Sequence, residues 1–215
     1  MKKNLTITVA QIAKGGAGKT TISTNLAVEL QRQKHKVTLC DLDTIQKASR
    51  HFFNIRAKSD IPFSFDFHFN PDDRMLEAVF DLEGIKIFDT GGYDSLDTQA
   101  LISLSDVVLI PVTPNEIEKN ALIEFSKKIE QIVKVTSKDT KFIVVPNRVH
   151  VIKTKQQVKS FFSGLEDLGY ILAPPLYYRL AYENAYEKGL SVVELGASEK
   201  ATAEVYDLAK FLSEV

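Results

Sequence analysis

Seven residues, Lys14-Gly15-Gly16-Ala17-Gly18-Lys19-Thr20, follow directly on an apolar run and constrain this chain more than any other feature. Glycines in such a run let the backbone turn its N–H groups inward toward an anion, where a Cβ would clash. Lys19 can reach β- and γ-phosphates, and the Thr20 hydroxyl can ligate Mg²⁺. A helix beginning near Lys19 points its positive dipole end at the same spot. The commonest spacing of such loops has a glycine where this chain has Ala13. What stands instead is Lys14 beside the Gly15-Gly16 pair, a second cation at the loop's entry. One lysine already serves the bound phosphates, so the second points to a contact reached from elsewhere, for example from a partner subunit. A tight strand-to-helix turn without a ligand has no need of two lysines and the Thr20-Thr21 pair.

Strand and helix patterns alternate along the rest of the chain, as in a parallel sheet covered on both faces. Strands are predicted over 5–12, 36–41, 62–69, 85–89, 106–112 and 141–146. Helices are predicted over 19–34, 72–81, 116–135, 154–168 and 198–215. Within 62–69, Phe63, Phe65, Phe67 and Phe69 alternate with polar residues and read as a sheet face against a helix. No repeat, low-complexity tract or linker interrupts the 215 residues, so one α/β domain over 1–215 is expected, a mostly parallel twisted sheet with helices on both faces. A hydrophobic content of 44% is ample for its core. The lone Cys40 excludes an internal disulfide and a cysteine-built zinc or iron–sulfur site. The first residues lack the apolar region of a secretion signal, and no run reaches the roughly 18 apolar residues of a membrane span. A cytoplasmic protein is expected. The four histidines share no metal-ligand spacing.

Ligands of open parallel sheets sit beyond the carboxyl ends of the strands. Three strand ends here carry matching chemistry: the loop at 14–21, Asp41-Leu42-Asp43, and Asp89-Thr90-Gly91-Gly92. Phosphate with Mg²⁺ needs backbone donors, a lysine, a hydroxyl, and carboxylates for the metal's waters and the attacking one. Late in the chain, Val145-Pro146-Asn147-Arg148-Val149-His150 offers an asparagine but not the aspartate with which guanine-binding elements take the N1 and N2 donors. ATP is the favoured nucleotide.

With these motifs the chain resembles the deviant Walker-A ATPases of the ParA/MinD group, most of all the small ParA-type partition proteins. Lys14 to Thr21 is similar to the family loop without a change. Asp89-Thr90-Gly91-Gly92 falls at the Walker B position, and Pro111-Val112-Thr113-Pro114 matches a family turn. The segments 179–182 and 189–192 are similar to the stretch that closes the adenosine pocket. The resemblance implies that Gly15, Gly16, Ala17, Gly18 and Lys19 hold the phosphates, that Thr20 ligates Mg²⁺, and that Thr21 approaches the α-phosphate. It implies that Lys14 crosses a face-to-face dimer to the partner's nucleotide. It further implies that Asp43 positions the hydrolytic water and stands near the metal, that Asp89 holds the Mg²⁺ shell, and that Asn147, with Arg148 beside it, contacts adenine. Thr44 replaces the usual proline after the second aspartate, and Gln46 is displaced by one place. That variant, followed by Arg50-His51-Phe52-Phe53, resembles the MipZ branch of division-site regulators.

The expected function is slow ATP hydrolysis with Mg²⁺ in an ATP-gated homodimer that binds DNA non-specifically. A ParB-like centromere-binding protein or other activator would stimulate it, and it would associate with the nucleoid. Regulation of division, or positioning of a cargo other than DNA, is the alternative. Residues 119–159 carry ten basic residues against three acids, a net +7 that suits a polyanion. Membrane attachment through the last helix is disfavoured, because Glu199, Glu204, Asp207 and Glu214 outnumber Lys200 and Lys210 and anionic lipid would repel it. Electron transfer is excluded by the single cysteine, while a small-molecule kinase on the same scaffold would need an acceptor pocket that nothing marks.

Overall fold

The computed structural model describes residues 4–12, 16–59, 61–62, 65–92, 96–136, 138–196 and 198–215, without the side chains of 96–97, 130 and 132–136. Seven parallel strands form one sheet: β1 (Leu5–Gln11), β2 (Val37–Asp41), β3 (Asp66–Phe69), β4 (Ile85–Gly92), β5 (Val107–Val112), β6 (Lys141–Pro146) and β7 (Tyr170–Leu172). Their order is β3-β2-β4-β1-β5-β6-β7. From β1 the chain runs first toward one edge and later, after β4, toward the other. The carboxyl end of β1 is therefore the switch point at which such sheets leave a crevice.

Strands buried on both faces read as continuous apolar runs, because each alternate side chain meets a helix layer. On one face Ile7, Val9, Leu39, Ile87, Leu109 and Ile143 pack against α1 (Lys19–Arg32), α2 (Ala48–Lys58) and the terminal helix α9 (Glu199–Glu214). On the other, Val108, Ile110, Phe142 and Val144 meet α5 (Glu116–Thr136) and α6 (Lys155–Phe161). Beside them Cys40 and Phe88 are covered by α3 (Asp73–Asp81) and α4 (Leu96–Leu104). Two short helices, α7 (Leu180–Tyr186) and α8 (Val192–Leu195), close the first face near α2.

Several expectations change. The predicted helix 154–168 stops at Phe161, with a short 3₁₀ turn at Glu166–Leu168. Gly164, with φ of +87°, separates the two pieces, since that backbone conformation does not continue a right-handed helix. The strand predicted over 62–69 is confined to Asp66–Phe69. Phe63 and Ser64 lie outside the described residues. The aromatic face does meet a helix: Phe67 stacks on Phe53 of α2 at 3.6 Å, and Phe65 meets the same ring edge-on. Glu204 is a buried residue of α9 and not a surface charge. The apolar side of α9, including Val205, Leu208 and Leu212, is packed into the interior. Among the described residues no helix is long and apolar enough to cross a membrane.

Candidate active site

The described part of the glycine loop begins at Gly16. Ala13, Lys14 and Gly15 lie outside the described residues. Gly18 has φ of +88°, and a Cβ there would stand 2.2 Å from Asn147 Nδ2, so no side chain fits. It is also the N-cap of α1 and supplies no side-chain cap. The orphan N–H groups of the helix's first turn therefore stay available to an anion. Lys19 is buried, and its Nζ donates to Gln11 Oε1 at 3.2 Å. Gln11 Nε2 is buried without a hydrogen-bond partner among the described residues. An unpaired buried donor beside an ammonium group is costly, and an anionic oxygen would relieve it. These groups fit a phosphate.

Asp41, the last residue of β2, lies in register beside Asp89, three residues before the end of β4. Asp41 is wholly buried and organises the loop after it. Its Oδ1 accepts from the Asp43 N–H at 3.0 Å and its Oδ2 from the Arg50 N–H at 2.9 Å. Burial pushes its carboxyl up, and those two backbone donors oppose the shift. Asp43 Oδ1 accepts from the N–H groups of Ile45 at 3.2 Å and Gln46 at 2.9 Å. Its Oδ2 accepts no hydrogen bond among the described residues. One oxygen thus fixes the side chain and leaves the other for a ligand or water.

Asp89 is the most perturbed carboxyl of the three. Burial pushes its pKa up to about 6, while hydroxyl donors from Ser49 and Thr20 pull the other way. Thr20 Oγ1 donates to Asp89 Oδ2 at 2.7 Å, and Ser49 Oγ donates to the same oxygen at 2.6 Å. Asp89 Oδ1 is buried and has no hydrogen-bond partner among the described residues. An orphaned carboxylate oxygen, tied through its partner oxygen to a threonine hydroxyl, fits Mg²⁺, a hard cation that takes oxygen ligands and keeps several waters. Among the described residues no group of three or more His, Cys, Asp or Glu could hold an ion by itself. Mg²⁺ at this place would therefore rely on Thr20, water and nucleotide oxygens.

A cavity of about 530 Å³ opens beside the loop, with Thr20, Thr21, Asn147, Arg148, Tyr182 and Tyr186 in its wall. Thus the loop threonines, Asn147 and the segment that begins at Arg179 meet at one site. Asn147 lies in that wall, and its Nδ2 donates to the Ala17 carbonyl at 2.6 Å and braces the loop. Arg148, at φ of +52°, follows it at the cavity edge. Three residues that the sequence motifs do not include support the site from behind. Glu204 accepts from Arg179 Nε at 2.7 Å, from the Tyr182 hydroxyl at 3.1 Å and from the Tyr177 N–H at 3.1 Å. Burial and the Glu204 charge push the Tyr182 hydroxyl well above the usual phenol range. Ser49 and Gln11 are the others. None lies in a recognisable motif, and Glu204 is more than 100 residues from every strand-end carboxylate in sequence, so spacing gave no signal.

The basic segment is partly neutralised. Lys127, Lys138 and Lys155 pair with Glu124, Asp106 and Asp207. Lys119 donates to the Phe161 carbonyl and Lys141 to Val215. Lys153 and Lys159 are exposed and form no ion pair among the described residues.

A profile of the CbiA family, the CobQ/CobB/MinD/ParA nucleotide binding domain, matches residues 8–192. The chain belongs to that family. The CobQ/CobB/MinD/ParA likeness extends to individual proteins. The maintenance of carboxysome distribution protein A of Halothiobacillus neapolitanus is 30% identical over 99% of this chain and 97% of its own length. Protein ParA of Rhizobium radiobacter is 26% identical over 85% of this chain and 83% of its own. Apo McdA of Cyanothece superposes with a TM-score of 0.75 at 17% identity, covering 97% of this chain and 98% of that one, a likeness of fold. The protein is a ParA/MinD-type nucleotide-binding ATPase.

Proposed function

We propose that this ATPase uses Mg²⁺-ATP to position a large protein assembly rather than to segregate a plasmid or chromosome. The observation that carries the reading is the end-to-end similarity to a relative named for carboxysome distribution, higher in identity and coverage than that to Protein ParA. A carboxysome-like body is the cargo class that name supplies.

The chemistry follows from the strand ends. Lys19 and the N–H groups at the start of α1 bind the phosphates, drawn by charge and by the helix dipole. Mg²⁺, held by Thr20 and through water by Asp89, would neutralise charge on the phosphate oxygens. Asp43, fixed through its Oδ1, orients a water and takes its proton as the new P–O bond forms. The bond to the bridging oxygen breaks, and ADP and inorganic phosphate leave. Tyr177, Tyr182 and Arg179, set by Glu204, enclose the nucleoside. Lys14 reaches the nucleotide of a second copy in the ATP-bound homodimer, which makes hydrolysis depend on assembly. An activator protein stimulates turnover, and non-specific DNA, met through exposed bases such as Lys153 and Lys159, serves as the matrix.

Deleting the gene and imaging the cells by electron cryotomography tests the cargo. Clustered protein bodies with normal inheritance of plasmids and chromosome are expected. Loss of a replicon with evenly spaced bodies overturns the reading.

A further inference from the structure

Ser49, the second residue of α2, has a side chain that does not serve its own helix. It is wholly buried, and its Oγ reaches across to Asp89 Oδ2 at 2.6 Å. Thr20 Oγ1 donates to that same oxygen. Two hydroxyls on Oδ2 fix the rotation of the carboxylate, and Oδ1 is the oxygen left without a hydrogen-bond partner among the described residues.

The residues on either side of Ser49 are held as firmly. The Tyr186 hydroxyl donates to the Ala48 carbonyl at 2.8 Å, and both residues line the cavity shared by Thr20 and Thr21. The Arg50 N–H is bound by Asp41. At the far end of α2, both Arg56 amino groups grip Glu194, at 2.8 and 2.7 Å, and one also donates to the Gly189 carbonyl at 3.0 Å. Gly189 lies so close that a Cβ would stand 2.5 Å from the Arg56 nitrogen. The helix carrying Ser49 is thus fastened at both ends to the segment that walls the nucleoside cavity.

We propose that Ser49 is a positioning residue for the metal: it holds Asp89 so that Oδ1 faces the Mg²⁺ water shell. Tyr186, through Ala48, makes that orientation depend on the cavity wall. The inference rests on the Mg²⁺–nucleotide reading of the site. Ser49 touches neither nucleotide nor metal; it acts through Asp89, as partners of metal-bound groups do elsewhere.

The test is binding of a fluorescent ATP analogue to wild type, Ser49→Ala and Tyr186→Phe, in EDTA and across an Mg²⁺ titration, with melting of the nucleotide-free proteins as a fold control. Affinity in EDTA is expected to be unchanged in Ser49→Ala. The Mg²⁺ concentration for half-maximal tightening should rise roughly tenfold in Ser49→Ala, and less, in the same direction, in Tyr186→Phe. A Ser49→Ala curve that overlays wild type overturns the proposal, as does a loss of binding equal with and without Mg²⁺. Should Ser49→Ala fail to fold, an unshifted Tyr186→Phe curve overturns it. Wild type that shows no Mg²⁺ effect sinks the metal reading itself, and this inference with it.

Discussion

Burial sets the behaviour of single groups here. Asp89 titrates near pH 6 when folded, against an ordinary value of 3.8. The folded, ligand-free protein therefore binds a proton more tightly than the unfolded chain. That stabilisation is complete below about pH 3.8 and is lost as pH rises through about 6. Mg²⁺ needs the ionised carboxylate, so Mg²⁺-dependent tightening of nucleotide binding should fade as pH drops below about 6; a titration of binding at several pH values checks it. Cys40 is buried in β2 and its thiol is pushed up to about 12, so a thiol reagent at neutral pH should label it only at the rate of unfolding. Asp43→Ala should keep nucleotide binding and abolish phosphate release, because its carboxylate is fixed through Oδ1 and leaves Oδ2 for the attacking water. Lys19→Ala should lose nucleotide affinity in a direct binding assay.

At the scale of elements, α2 ties the metal side of the site to the nucleoside side. Arg56, 1% exposed, is an arginine in a helix whose neighbours are Phe52 and Phe53. Removing one partner of a buried ion pair leaves an uncompensated charge, so Arg56→Ala should lower unfolding free energy by about 3 kcal/mol in urea titrations. The elements that the sequence made legible are those with strong local signals. The expected α1, β2 and β4 follow apolar runs closed by glycine or acid and lie in their expected places, although β4 continues past Asp89 to Gly92. The elements it left dark are α2, α4, β7, α7 and α8; of these, α2, α7 and α8 are held by distant partners: Arg56 by Glu194, Tyr186 by the Ala48 carbonyl, Ser191 by Asn25. Local periodicity carries no record of such contacts. The helix predicted over 154–168 stops at Phe161 although its pattern runs on, and the backbone turns left-handed at Gly164.

For the whole molecule, the sheet order brings three sequence-distant strand ends to one crevice, and the last helix shapes the nucleoside wall from behind through Glu204. On the proposed reading this crevice binds phosphate and Mg²⁺, and Lys14 reaches the nucleotide of a second copy. Turnover should then be a property of two chains. Phosphate release per chain, measured with ATP and Mg²⁺ over a wide range of protein concentration, tests this most directly. A slow rate that climbs with concentration and levels off is the predicted result. No release at any concentration, or a rate per chain that is the same throughout, would contradict it.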